Sequence, residues 1–387
     1  MNIPGRCRDI ALYLLLIGLA TPTANAAPLG LPAVPIPSDN PQTDAKIRLG
    51  DRLFHEKRFS IDGKVSCSTC HEKDKAFTDH RRVSEGHNGL LGTRNAPTVI
   101  NSAYMKSLFW DGREQDLEGQ SKQPPVNPVE GGLPDHESLL EIIRADPSYV
   151  EAFKQVFGVA PAEITIDHYA DAIASFERTR IAGDSPFDRY QYGGDKTAMS
   201  EAAIRGLKVF TGQGRCVSCH LIEQDQALFT DNRFHNIGVG FKNIQGREAE
   251  IAAEFIKAKN AGADVDKTVL SDPDASELGR FAVTEDINQV GAFKTATLRN
   301  IELTAPYMHD GSQKTLEDMV KFYNNGGRIE ADDPFSPFLS GGIRPLNLSE
   351  QQKSDLVEFL QALTSPAVAA EVTSTEIITS KRGEPES

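Results

Sequence analysis

Two five-residue segments carry the chemistry of this chain: Cys67-Ser68-Thr69-Cys70-His71 and Cys216-Val217-Ser218-Cys219-His220. In such a segment both thiols can add covalently to one haem, and the adjacent imidazole becomes an axial iron ligand. Two copies predict two covalently bound c-type haems, with His71 and His220 as proximal ligands. Competing readings fail on spacing. A zinc ribbon brings its Cys pairs within roughly 15–20 residues, whereas these pairs begin 149 residues apart (216 − 67). A thioredoxin-like site has no need of a His after each pair. Disulfide frameworks belong to short secreted chains, not to one of 387 residues.

The remaining cysteine agrees with this reading. Cys7 lies in a stretch that reads as an export signal over residues 1–26. Arg6 and Arg8 give a basic start, Ile10 to Ala20 an apolar core too short to span a bilayer, and Ala24-Asn25-Ala26 a small-residue cleavage site. Cleavage there leaves cysteines only in the two haem segments, with no thiol for a disulfide or a nucleophile. Export to the periplasm suits covalent haem, which is normally installed outside the cytoplasm, and no stable membrane span is expected. A net charge of −14 argues against a nucleic-acid partner. It favours a basic protein partner, or serves only solubility.

The elements that must position these segments read as helices. Ile166 to Ile181 spaces Tyr169, Ile173 and Phe176 on one face, and Glu201 to Phe210 sets Ile204, Leu207 and Val209 just before the second haem segment. Ser349, with Gln352 three residues on, has the form of a capping box ahead of Leu356, Phe359, Leu360 and Leu363. Strand-like alternation is scarce. The fold class predicted is mostly α: two haem domains packed together, with much irregular chain around the haems. Turn residues near 183–197 mark a boundary between an N-terminal domain over 27–190 and a C-terminal domain over 191–366. Residues 367–387 read as a polar tail, disordered at its end.

Further segments follow in order: Arg94-Asn95-Ala96-Pro97-Thr98, Phe109-Trp110-Asp111-Gly112-Arg113 with the only Trp, Asn127-Pro128-Val129-Glu130, Phe234-His235-Asn236-Ile237-Gly238, Leu298-Arg299-Asn300 and Ala305-Pro306-Tyr307-Met308-His309-Asp310-Gly311. From about residue 45 to 364 this series resembles the bacterial di-haem cytochrome c peroxidases, including their MauG branch. The resemblance implies two cytochrome c-like domains packed face to face. Peroxide would react at the N-terminal haem, and the C-terminal haem would supply or store oxidising equivalents. It places Glu130 as the acid–base group that moves a proton between the peroxide oxygens, with Gln120 as a hydrogen-bond partner and Pro124 as a steric wall. Trp110 falls between the haems as an electron relay. Asn95, Thr304 and Pro306 match a calcium site between the domains, a neutral oxygen set suited to a hard cation that keeps several waters. His235 and His309 sit in loops, where hydrogen bonding to a propionate or the backbone is expected. His55, His80, His136 and His168 have no supporting context and are expected to be exposed.

Two positions divide the subfamilies. Cytochrome c peroxidases proper use a Met fourteen residues beyond the His of the Pro-Tyr-x-His-Asp-Gly segment as sixth ligand of the C-terminal haem. Here that residue is Tyr323 (323 − 309), which resembles the MauG branch. A phenolate stabilises oxidised iron, whereas a thioether raises the potential. Met319, one helical turn earlier, is the alternative. His87, sixteen residues after His71 (87 − 71), matches the residue that caps the N-terminal iron of many cytochrome c peroxidases at rest, and is read either as that gate or as a solvent-exposed loop side chain. The surface Trp that MauG carries before its second haem segment is absent, since Gly214 and Arg215 stand there.

The resulting expectation is a periplasmic di-haem peroxidase. It would reduce hydrogen peroxide with electrons from a small redox protein, a cytochrome c or a cupredoxin. A MauG-like enzyme oxidising aromatic residues of a partner protein is the first alternative, and a non-enzymatic electron-transfer cytochrome the second. The resemblance also admits a homodimer.

Overall fold

The computed structural model describes residues 27–373. The export-signal reading of residues 1–26, with Cys7, and the final part of the tail lie outside the described residues.

Two helix crossings are built alike. The helix Asp44–Phe54 starts at Thr43, whose hydroxyl accepts from the Lys46 N–H at 3.2 Å, and it buries Leu49, Leu53 and Phe54. It packs across the helix Ile166–Glu177, which buries Tyr169, Ile173 and Phe176 as the periodicity predicts. Gly50 sits at the crossing, where a Cβ would stand 1.9 Å from the Ala172 carbonyl oxygen. The Phe54 and Phe176 rings close the contact at 5.1 Å. In the second half the helix Glu201–Thr211 crosses the helix Glu350–Gln361. Gly206 stands at that crossing, where a Cβ would lie 1.9 Å from the Asp355 carbonyl oxygen. Phe210 and Phe359 meet there at 5.0 Å. The capping box at Ser349 is present, with the Gln352 N–H donating to the Ser349 hydroxyl at 3.2 Å and the Ser349 N–H to the Gln352 side chain at 2.9 Å.

The loops that follow the haem segments return in matching ways. Asn101 and Asn300 both adopt left-handed backbone, φ 66° and 59°, which asparagine tolerates better than most residues. The Asn101 carboxamide exchanges two 2.9 Å bonds with the Ala182 backbone, and the Asn300 side-chain oxygen accepts from the Ser365 N–H at 2.8 Å. One hydrophobic cluster gathers Leu49 to Ala182, and a second gathers Phe187 to Leu363. The architecture is mostly α, as the sequence predicts.

Two features differ from the sequence reading. Between the strand Phe234–His235 and its antiparallel partner Phe293–Lys294, the chain makes a helical excursion. It contains the helices Glu248–Asn260 and Val265–Ser271 and a third core of Ile251, Phe255, Val269, Leu278 and Phe281. Residues 366–373 are helical rather than loose tail, and Val368 and Val372 pack onto the first cluster, because their side chains find apolar surface left open there.

Candidate functional site

Each Cys-x-x-Cys segment coils into a short helical turn, Cys67–Cys70 and Cys216–Ser218, and the N–H of the following His bonds back to the first Cys carbonyl, at 3.0 Å for His71 and 2.9 Å for His220. Ser66 and Thr69 bond each other across the start of the first, the Ser66 N–H donating to the Thr69 hydroxyl at 3.0 Å. His71 Nδ1 donates to the Phe77 carbonyl at 3.1 Å, and His220 Nδ1 donates to the Phe229 carbonyl at 2.8 Å. A carbonyl can only accept, so each ring carries its proton on Nδ1 and leaves Nε2 unprotonated, the form that binds iron. Burial lowers the pKa of both imidazoles and keeps them neutral. Burial also pushes the thiols of Cys70 and Cys216 up to about 12, and none of the four cysteines is in a disulfide.

Both segments open onto one continuous cavity of about 660 Å³. Its wall carries Cys67, Cys70, His71, Cys216, Cys219 and His220, together with Trp110, Gln120, Pro124, Glu130, Met319 and Tyr323. Buried polar atoms on that wall lack protein partners: Glu130 Oε2, Glu177 Oε2, Arg113 Nη2 and the hydroxyls of Ser84 and Ser102. Native interiors rarely leave such atoms alone. Paired thiols, a poised imidazole at each end and orphan polar groups along an apolar wall fit two haems.

On the first half, the helix Leu117–Val126 is capped by Asp116, whose carboxylate accepts from the Gly119 N–H at 2.7 Å. Gln120 and Pro124 lie one turn apart on the face that meets the cavity. The chain then reverses through Asn127. Its carbonyl accepts from the Glu130 and Gly132 N–H groups at 3.2 and 2.8 Å, and its side-chain oxygen accepts from the Val129 N–H at 3.0 Å. This turn lays Glu130 against the wall. Burial, with the Asp266 carboxylate second, pushes the Glu130 carboxyl up to about 8, while Arg113 opposes. Glu177, at the end of its helix, is a second buried acid pushed up to about 8 by burial.

Trp110 stands where the halves meet. Its indole N–H donates to the Asn95 carbonyl at 2.9 Å, and its own carbonyl accepts from the Lys294 N–H of the second half at 2.8 Å. Next to it, the fully buried Asp111 takes bonds from Arg94 and Arg113. Arg113 stacks 3.5 Å from the Phe109 ring centroid.

Asn95, Thr304 and Pro306 line the same cavity. The Asn95 side-chain nitrogen donates to the Arg81 carbonyl at 2.9 Å, which leaves the side-chain oxygen available. Among the described residues, no group donates to that oxygen or to the carbonyls of Thr304 and Pro306. Three neutral oxygens without donors are a set that a calcium ion would fit.

In the second half Met319 and Tyr323 both project from the helix Leu316–Asn324 to the wall. Met319 is packed into the second core, while Tyr323 is half-buried at its edge. Burial, aided by the Cys216 and Cys219 thiols, pushes the Tyr323 phenol well above its ordinary range.

His87 is not brought to the cavity. Its Nε2 donates to the Pro128 carbonyl at 2.8 Å, and its Nδ1 accepts from the Asn88 side chain at 3.0 Å. His235 and His309 pair with carboxylates rather than backbone: His235 with Asp231 at 2.8 Å and His309 with the buried Glu277 at 2.9 Å. His55 and His80 are exposed as expected. His136 and His168 are half-buried, because one bonds the Lys122 carbonyl and the other caps a helix through Thr165. Sequence reasoning missed Glu177, Asp266 and Glu277, and gave Arg113 no role. The one available signal was that acidic side chains in otherwise apolar stretches, such as Glu177 after Phe176, need a reason to be there.

The profile of the family described as "Di-haem cytochrome c peroxidase" matches residues 44–197. The cytochrome-c peroxidase IdrP1 of Denitromonas iodatirespirans is 36% identical, covering 93% of this chain and 94% of the relative. The methylamine utilization protein MauG of Methylorubrum extorquens is 33% identical, covering 91% and 90%. Among solved structures, a MauG-like protein associated with microbial copper homeostasis matches with a TM-score of 0.72 at 33% identity, covering 90% of this chain and 97% of that one. Two Cys-x-x-Cys-His turns on two like frames, and relatives of both branches aligned along nearly the whole length, mean that this chain belongs to the di-haem cytochrome c peroxidase and MauG family, oxidoreductases with two haem cofactors.

Proposed function

We propose that this enzyme reduces hydrogen peroxide in the periplasm, after export on residues 1–26, with electrons from a small redox protein, a c-type cytochrome or a cupredoxin. The observation that carries the reading is Glu130, whose Oε2 is buried without a protein partner on the same cavity wall as His71. Cys67 and Cys70 with His71, and Cys216 and Cys219 with His220, would each hold one haem. When bound, the haems supply redox-active iron for peroxide and for electron transfer.

The chain's own residues do the rest. Glu130 Oε2 accepts the proton of the near peroxide oxygen and returns it to the far one, which leaves as water. Gln120 orients the peroxide by hydrogen bonding, and Pro124 limits the room beside it. Trp110, held by Asn95 and by the Lys294 backbone, carries electrons between the two halves. Tyr323 would hold the iron of the second haem through its phenol oxygen, with Met319 kept in the core. Asn95, Thr304 and Pro306 hold calcium beside Trp110, so that chelation should slow electron transfer between the haems.

One observation favours the MauG-like reading as the second account of the electron source. The His87 ring is bonded to the Pro128 carbonyl and to Asn88, away from the cavity where the first haem would sit. The test is stopped-flow spectroscopy of the fully oxidised protein with peroxide, followed by turnover with a reduced small cytochrome. Fast reaction and two cytochrome electrons consumed per peroxide support the proposal. Fast reaction with no cytochrome oxidation transfers the case to a protein substrate. No reaction until one electron is added shows His87 to be a gate that swings inward.

A further inference from the structure

We propose that Asp266, on the helical excursion of the second half, is a positioning residue for the peroxide step: it anchors the turn that carries Glu130 and sets a fixed negative charge beside it. The proposal rests on the reading of Glu130 as the acid–base group.

The geometry is a short chain of contacts. Asn127 is 1% exposed, and the two ends of its carboxamide are both committed. The oxygen accepts from the Val129 N–H inside the Glu130 turn, and the nitrogen donates to Asp266 Oδ2 at 2.8 Å, across 139 residues of sequence. The other oxygen of Asp266 accepts from Arg113 Nε. Arg113 in turn bonds Asp111 and lies over Phe109. One carboxylate therefore ties the Glu130 turn to the loop of Trp110. Without it, a buried Asn127 N–H group loses its acceptor, which a folded interior tolerates poorly, and the turn is free to shift.

The charge acts as well. Besides burial, Asp266 and Arg113 are the groups that weigh on Glu130, the first opposing its ionisation and the second favouring it. The nearby thiols of Cys67 and Cys70 become uncharged thioethers once haem is attached. The His87 N–H reaches only the Glu130 backbone carbonyl. After burial, Asp266 is thus the acidic group among the described residues that opposes ionisation of Glu130.

The experiment is the pH profile of the second-order reaction with peroxide, on holoprotein carrying both haems. Asp266→Asn and Asp266→Ser should move the limb assigned to Glu130 to lower pH by roughly one unit and lower the plateau by about 3- to 10-fold through misplacement of the carboxyl. Asp266→Glu should keep the limb in place. Glu130→Gln should remove it. If Glu130→Gln removes the limb while both neutral variants at 266 leave limb and plateau unchanged, the proposal is wrong. If the limb survives in Glu130→Gln, the reading of Glu130 fails instead. Should neither neutral variant load both haems, Asn127→Ser cuts the link and keeps the charge. It must lower the plateau with the limb unmoved, and a wild-type plateau there overturns the proposal.

Discussion

Around His71 and around His220 the chain repeats one set of contacts. A glycine lets two helices touch, a Phe pair seals the crossing, a backbone carbonyl takes the imidazole Nδ1 proton, and an asparagine in left-handed backbone closes the returning loop. What differs is what each half adds to the cavity wall: Gln120, Pro124 and Glu130 from the first, and Met319 and Tyr323, one turn apart on one helix, from the second. The difference teaches that the shared frame holds a neutral imidazole in each half, and on the proposed function the segments between the haem motif and the closing helix decide reactivity. Peroxide chemistry needs a proton carrier, and on the proposed function the first half supplies it in Glu130.

The largest expected effect breaks that asymmetry directly. Glu130→Gln keeps the shape and removes the titrating group, so the peroxide step should slow by about 10²-fold or more, with haem content unchanged by pyridine haemochrome. The sign of the pH dependence follows from the same residue. Its carboxyl is pushed up to about 8, so at pH 7 only about a tenth is ionised. A base that must accept the first peroxide proton then gives a rate that rises about tenfold per unit up to pH 8 and flattens above it. A flat or falling profile between pH 6 and 9 would remove the acid–base role.

The second prediction sharpens the comparison from the other half. On the proposed ligation, Tyr323→Met would exchange an anionic oxygen ligand for a thioether, which favours reduced iron. The potential of the His220 haem should rise on the order of 100 mV, a fraction of the ~0.8 V that axial ligands span. Spectroelectrochemical titration reads it, and an unmoved potential would hand the ligand role to Met319. Met319→Leu should then leave the potential alone if Tyr323 is the ligand.

How much of this was legible in the sequence depends on the range of the contact. The haem motifs were, because covalent attachment needs contiguous residues. So were the helices of the two crossings, because Tyr169, Ile173 and Phe176, or Leu356, Phe359 and Leu360, announce a buried face by period alone. Glu130 was visible only through family resemblance; by itself it is one acid among many. Asp266 was not visible at all, since its meaning comes from Asn127 and Arg113, far off in sequence. The excursion that carries it is built of short helices around a small core, whose periodicity is too brief to stand out. His87 had the right spacing, but a nearer acceptor, the Pro128 carbonyl, took its ring.

The smallest effect tests whether the two frames are equivalent at all. Gly50→Ala and Gly206→Ala each drive a methyl against a backbone carbonyl that cannot swing aside, Ala172 in one half and Asp355 in the other. Overpacking of this kind costs typically ~1–3 kcal/mol. Both variants should therefore lower the thermal midpoint of the holoprotein by similar amounts. The chemistry should separate them. Gly50 lies on the frame that holds His71, so its variant should also slow the peroxide step by a few-fold, whereas the Gly206 variant should leave that step alone and disturb only electron delivery from the second haem. If both variants slow the peroxide step equally, the halves do not divide the work as their facing walls indicate, and the frame around His220 must bear on the first site through Trp110 and the strand that holds it.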